Sequence, residues 1–210
     1  MRTSEPRRPR SGGRAARLRR AAWRALLVAA ATVPVAVAHA FDLDELMRIL
    51  ADVRSADATF IERRTVNQIG RTLESAGRLS YRAPDTFTRE TLRPHRDKLA
   101  VSGNIVTMSQ GDRSRTMELD AAPEAQVMIE AIRGTLTGNR SLLERHFEVR
   151  LEGPAESWLL ELVPRDVRLR GQVAQLRVSG RQARIREVDV RMADGDHSEM
   201  LIEPAISPAP

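Results

Sequence analysis

The sequence predicts an α+β protein, in which a large, curved antiparallel sheet carries helices on one face. Three observations predict it. Apolar residues recur with a period of two in many short runs. Turn residues divide the later runs at intervals of roughly ten residues. Helical periodicity appears only at the start of the domain and at its middle, so helices do not alternate with strands as a parallel sheet requires. A sheet of that length curls, and its concave side either fills with side chains or leaves a hollow.

Residues 1–40 precede this pattern. Arg14, Arg17, Arg19, Arg20 and Arg24 lead into an uncharged run from Ala25 to Val37 that closes on Ala38-His39-Ala40. A basic segment, an apolar segment and small residues before a break are the anatomy of a cleavable export signal. The run is short for a bilayer span, and no second one follows, so cleavage rather than anchoring is expected. The residues after Arg19-Arg20 fit a twin-arginine signal poorly. The expected mature chain begins at Phe41.

The mature region opens with an amphipathic helix in which Leu43, Leu46, Met47, Leu50 and Val53 share a side, capped by Asp42 with Glu45 three residues on. Alternation then takes over from Thr59-Phe60-Ile61-Glu62. It continues through Leu73 to Tyr81, with Leu73, Leu79 and Tyr81 on one face, and past a Pro84-Asp85 turn to Phe87 and Arg89. Ser102-Gly103-Asn104 reads as a hairpin turn between Leu99-Ala100-Val101 and Ile105–Ser109. A further run spans Arg115–Leu119. The central helix carries Val127, Met128, Ala131 and Ile132 on its apolar side and is expected to end at Gly134. A second short helix holds Leu142 and Leu143. Strands resume at Phe147–Leu151, Trp158–Val163, Val173–Val178, Ile185–Met192 and His197–Ile202. The tail, 204–210, is expected to be extended or disordered.

Composition excludes several functions. The full chain has 34 basic and 28 acidic residues, but nine of those arginines and one acid lie in the first forty positions. The remainder holds 25 basic and 27 acidic residues, a net of −2. That balance gives no counterion-release drive toward nucleic acid, and the few aromatics make no stacking platform. The absence of cysteine excludes disulfides, a thiolate nucleophile and an acylated N-terminal cysteine. His95, His146 and His197 lack metal-ligand spacing, and no nucleophile elbow or phosphate-cradling glycine loop occurs. Asp194-Gly195-Asp196-His197 reads better as a hairpin turn entering a strand than as a metal loop. No catalytic residue, metal or cofactor is expected, and the protein is not read as an enzyme.

An ordered series of segments resembles the periplasmic lipoprotein carrier (LolA) family. The series is Leu50-Ala51-Asp52-Val53 and Ala58-Thr59-Phe60-Ile61-Glu62, then Gly77–Pro84 with Phe87, and Val101–Val106. It continues with Leu136-Thr137-Gly138 and Leu142-Leu143, Trp158–Pro164, and Asp194-Gly195-Asp196. The resemblance covers most of 41–203 and implies an unclosed antiparallel β-barrel of about 10–11 strands, covered by the N-terminal helix and central lid helices. It implies an apolar hollow for the acyl chains of a lipidated client. Leu50, Phe60, Leu79, Tyr81 and Phe87 match the family's cavity-facing positions, and Val127, Met128 and Ile132 are candidates for the lid. Exposing an acyl chain of about 16 carbons costs on the order of 12 kcal/mol at about 0.8 kcal/mol per methylene, which is why such a carrier is needed.

The family's arginine before the proline closes the empty cavity against the lid. This chain has Ala83 there, which leaves Arg82 and Arg89 as candidate latches and implies a divergent LolA-like protein. Arg82 should face away from Leu79 and Tyr81, whereas Arg89 shares the facing of Phe87. The expected function is a periplasmic carrier, a monomer, that takes a lipoprotein or other amphipathic lipid from an inner-membrane releasing complex to an outer-membrane acceptor. The alternative is a lipid-sensing regulatory module that binds a membrane-anchored signalling protein. The same fold family includes such modules, usually joined to a second domain, so the one-domain length of 41–210 favours the carrier.

Overall fold

The computed structural model describes residues 41–121 and 123–205. The expected export signal and residues 206–210 of the expected tail lie outside the described residues. In chain order the elements are α1 (Leu43–Ala51), β1 (Ser55–Val66), β2 (Arg71–Arg82), β3 (Thr86–Arg93), β4 (Asp97–Ser102), β5 (Ile105–Gln110) and β6 (Arg113–Glu118). They continue with α2 (Pro123–Leu136), α3 (Arg140–His146), β7 (Phe147–Glu152), β8 (Trp158–Pro164), α4 (Val167–Arg170), β9 (Val173–Arg181), β10 (Arg184–Met192) and β11 (His197–Pro204). None of the described helices is long and apolar enough to cross a membrane.

All eleven strands form one antiparallel sheet in the order β6-β5-β4-β3-β2-β1-β11-β10-β9-β8-β7. Its two halves are meanders joined where the first strand pairs with the last. Phe60 faces Ile202 there, and Glu62 faces Met200. The edges β6 and β7 do not pair with each other, so the barrel is unclosed.

One face of the sheet is greasy and carries the helices. On β8 the alternation is complete: Trp158, Leu160, Leu162 and Pro164 are buried, while Leu159, Glu161 and Val163 are not. The indole Nε1–H of Trp158 donates to the Gln182 carbonyl at 2.9 Å, so the largest core side chain leaves no donor unpaired.

Two apolar clusters share this inner face. The larger joins Leu46, Met47 and Leu50 of α1 and Leu143 of α3 to Leu160, Leu162 and Leu176 on the β7–β10 side. The smaller joins Val101, Val106 and Leu119 to Ile129 of α2. Burying each such side chain contributes about 1.5–3 kcal/mol. Phe60 and Tyr81 are buried at 2% and 5% exposure yet belong to neither cluster. They mark a seam, β2-β1-β11, between the two cores.

The helices dock closely. Asp42 caps α1 by accepting from the Glu45 amide at 2.9 Å. Gly138, at φ +60°, lets the segment between α2 and α3 press on α1, because a Cβ there would lie 1.9 Å from the Met47 carbonyl oxygen. One expectation is corrected. Gly134 does not end α2, which runs on to Leu136; its lack of a side chain instead admits Leu143, whose Cδ2 would lie 2.6 Å from any Cβ. A short helix, α4, follows β8, because Asp166 accepts from the amides of Arg168 and Leu169.

Candidate functional site

An apolar cleft opens between α2 and the β2–β4 part of the sheet. Its sheet wall is Tyr81, Phe87, Leu99 and Val101, and its helix wall is Ile129, Ile132, Arg133 and Leu136. Pro84 and Asp85 of the β2–β3 turn complete the lining. The register explains the sheet wall, since Tyr81 pairs with Phe87 and Phe87 with Val101, so all three share one face. The helix wall is one stripe at i, i+3, i+4 and i+7. The empty space, with the open mouth included, is about 350 Å³.

The polar groups at the cleft have defined partners. The Arg133 guanidinium donates through Nη2 to the Gly103 carbonyl at 2.6 Å and through Nη1 to Glu130 at 3.2 Å. It thereby ties α2 to the β4–β5 turn. Burial holds the Tyr81 phenol above its ordinary pKa, with Asp85 adding to the shift and Arg54 opposing it. The phenol is therefore neutral at physiological pH.

A second, polar feature lies along the seam. Glu62 points inward from β1 and accepts from Ser198 at 2.6 Å, from Ser75 at 3.1 Å and from the Arg89 guanidinium. The Arg89 guanidinium also lies 4.8 Å from the centroid of the Phe60 ring. Gly77 makes room for that ring, since a Cβ there would sit 2.8 Å from Phe60 Cε1.

The residues expected to line a cavity are divided among three places. Tyr81, Phe87 and Ile132 meet in the cleft. Leu50 is buried in the larger core and Met128 packs against that core. Phe60 and Leu79 sit in the seam, where Leu79 pairs with Arg89 across β2 and β3. The side chain of Val127 lies outside the described residues. Of the two latch candidates, Arg82 turns outward and donates to Asp57 at 2.9 Å and to its neighbour's carbonyl, whereas Arg89 turns inward to Glu62. The described contacts of both stay within the sheet, and the guanidinium that ties α2 to the β4–β5 turn is Arg133.

The sequence reading passed over Ile129, Arg133 and Leu136, because α2 carries two apolar stripes. Periodicity alone points to the stripe at 127, 128, 131 and 132, of which Met128 and Ala131 face the larger core. Among the described residues, no group of three or more His, Asp or Glu side chains comes together as a metal site. Asp196 is a structural staple. It accepts from the Asn67 amide at 3.0 Å and from Arg64 at 3.4 Å, and it binds the β1–β2 turn to the β10–β11 turn.

A family model described as outer membrane lipoprotein carrier protein LolA-like matches residues 35–209. Among solved structures, the chain is similar to a LolA superfamily protein from Nitrosomonas europaea at 9% identity and TM-score 0.42, covering 81% of this chain and 96% of that one. It is similar to MucB in complex with MucA(peri) at 16% identity and TM-score 0.43, covering 80% of this chain and 57% of MucB. A DUF1329 family protein from Desulfovibrio piger matches at 8% identity and TM-score 0.43, covering 80% of this chain and 92% of that one. The chain thus spans less than two thirds of MucB's length. No curated protein matches it in sequence.

Proposed function

The chain belongs to the outer membrane lipoprotein carrier protein LolA-like family, and on that premise we propose that it is a periplasmic carrier that shields the acyl chains of a lipidated client on the way to the outer membrane. It takes cargo from an inner-membrane releasing complex, passes it to an outer-membrane acceptor, and performs no covalent chemistry. The cargo is a lipoprotein or another amphipathic lipid.

The observation that carries this reading is the cleft under α2. It is apolar on both walls, it opens to solvent, and its helix wall is held to the β4–β5 turn by the Arg133 guanidinium. Ligand pockets run from about 300 to 1,000 Å³, and the enclosed part of this cleft is far below that range, since its 350 Å³ includes open solvent. A long chain needs more, and α2 is the wall that can give. Movement of α2 away from β3 and β4 would uncover Phe87, Leu99 and Ile129, which offer the hydrocarbon an apolar surface in place of water. Hand-over then requires only that the acceptor bind the open form better than the closed one.

The test is direct. The protein purified from the periplasm of expressing cells should yield lipid on organic extraction and mass spectrometry, and after delipidation it should take up a fluorescent acyl probe. Phe87→Glu should reduce uptake at least tenfold while the circular dichroism spectrum persists. Protein that carries no lipid and takes up no probe would overturn the carrier reading. Undiminished uptake by Phe87→Glu would move the cavity elsewhere.

A further inference from the structure

We propose that Arg89 and Thr91 form a donor subsite for a carbonyl oxygen, the ester or amide at the root of the ligand's acyl chain. This rests on the carrier reading. Strand β3 sends Phe87, Arg89 and Thr91 to one face, each about 6.5–7 Å from the last. Phe87 lines the cleft, so Arg89 and Thr91 continue its row along the seam. A chain lying against Tyr81 and Phe87 would have its carbonyl end one strand step from Arg89.

The charges specify the acceptor. Glu62 and Arg89 are paired, with side-chain exposures of 19% and 27%, so the island is neutral. A charged headgroup brought there would lose hydration with no counter-charge to meet it. A neutral oxygen would not. The carboxylate is already satisfied by Ser75, Ser198 and the Arg89 Nη2, and no acceptor role remains to be filled around it.

The donors are what is left over. Arg89 Nε and Thr91 Oγ1 are buried without a hydrogen-bond partner, and Thr91 as a whole is only 3% exposed. Buried donors in folded proteins are almost always paired, and one left unpaired is destabilising. Of the four such buried atoms among the described residues, these two fall on one face of β3, in the row that the cleft residue Phe87 begins. A buried donor without a protein partner calls for an explanation, and a ligand that supplies the acceptor is one.

The test uses the purified, delipidated protein and two probes with the same headgroup and the same hexadecyl tail length. One is lysophosphatidylcholine with an ester-linked chain, and the other is its ether-linked analogue, which lacks the carbonyl. Equilibrium dialysis should show the ester bound about tenfold or more tightly, equivalent to about 1.4 kcal/mol. Thr91→Val and Arg89→Lys should each bring that ratio toward one. Thr91→Val should also raise the melting temperature of the lipid-free protein, because it replaces an unpaired hydroxyl by a methyl of the same shape. Equal binding of both probes by the natural protein would overturn the subsite and leave the carrier intact, a comparison that needs no variant to fold. A ratio that survives both substitutions would also overturn it. Binding of neither probe would overturn the carrier reading and this inference together.

Discussion

Tyr81 is the one tyrosine of the chain, and Lys98 its one lysine, so few groups titrate between neutrality and strong alkali. Burial raises the Tyr81 pKa in the folded state. Below the ordinary tyrosine value the phenol is protonated in both states, and its contribution to stability is complete. As pH rises past about 10, the unfolded chain releases the proton while the folded chain keeps it, so stability falls with pH. Urea midpoints measured from neutral to alkaline pH should therefore drop, and drop less steeply for Tyr81→Phe; parallel curves would mean that the phenol is solvated. Tyr81 was legible as a cleft residue because its inward facing follows from simple alternation with Leu79. Thr91 was not legible, because a threonine in a strand is ordinary until its partners are counted. Glu62 escaped notice for a related reason: its three donors come from β2, β3 and β11, and β11 lies at the far end of the chain.

At the scale of elements, the strands and the opening helix were written in the local pattern, and the structure has them within a few residues. The errors fall where a distant contact decides. Gly134 has the composition of a helix end but serves a close approach to Leu143, and nothing local distinguishes the two. Pairing of β1 with β11 was likewise invisible, since both strands alternate alike and neither names its neighbour. Helix α2 illustrates both limits. Its core-facing stripe was readable, but its cleft-facing stripe includes Arg133, a residue that local reading assigns to solvent. The Arg133 bond to the Gly103 carbonyl implies a specific kinetic behaviour. Removing it with Arg133→Ala deletes a charged donor to a backbone acceptor, an interaction worth about 1.5–3 kcal/mol. The closed form should lose that much relative to the open one. Amide exchange in 123–136 should quicken, and release of a bound acyl probe should accelerate roughly tenfold or more. Unchanged exchange with unchanged release would show that α2 is fixed by its core stripe alone.

Across the whole molecule, the two faces of the sheet are chemically opposed. The outer face carries paired charges, such as Arg63–Glu74 at 3.4 Å and Arg82–Asp57 at 2.9 Å. Exposed pairs of this kind contribute about 0–1 kcal/mol each, so they keep the surface wet more than they hold the fold. The inner face carries two apolar clusters, and the cleft is lined by Phe87, Leu99, Val101 and Ile129 of the smaller one. A ligand seated there touches elements packed on both cores, because α2 presents Ala131 to the larger and Ile129 to the smaller. It therefore binds the folded chain and not the unfolded one. Linkage then sets the size of the effect: at a free concentration of about 100 times Kd, stability rises by about 2.7 kcal/mol. For a domain of this size each kcal/mol moves Tm by about 2–4 °C, so a saturating acyl ligand should raise Tm by roughly 5–10 °C. The rise should come as a single transition, since the occupied cleft couples the two cores. A lipid that merely coats exposed apolar side chains such as Ile61 and Leu201 on the outer face would bind the unfolded chain as well, and Tm would stay level or fall. Phe87→Glu separates the two cases, because it closes the cleft to hydrocarbon and leaves the outer face untouched, so its Tm should not respond to ligand.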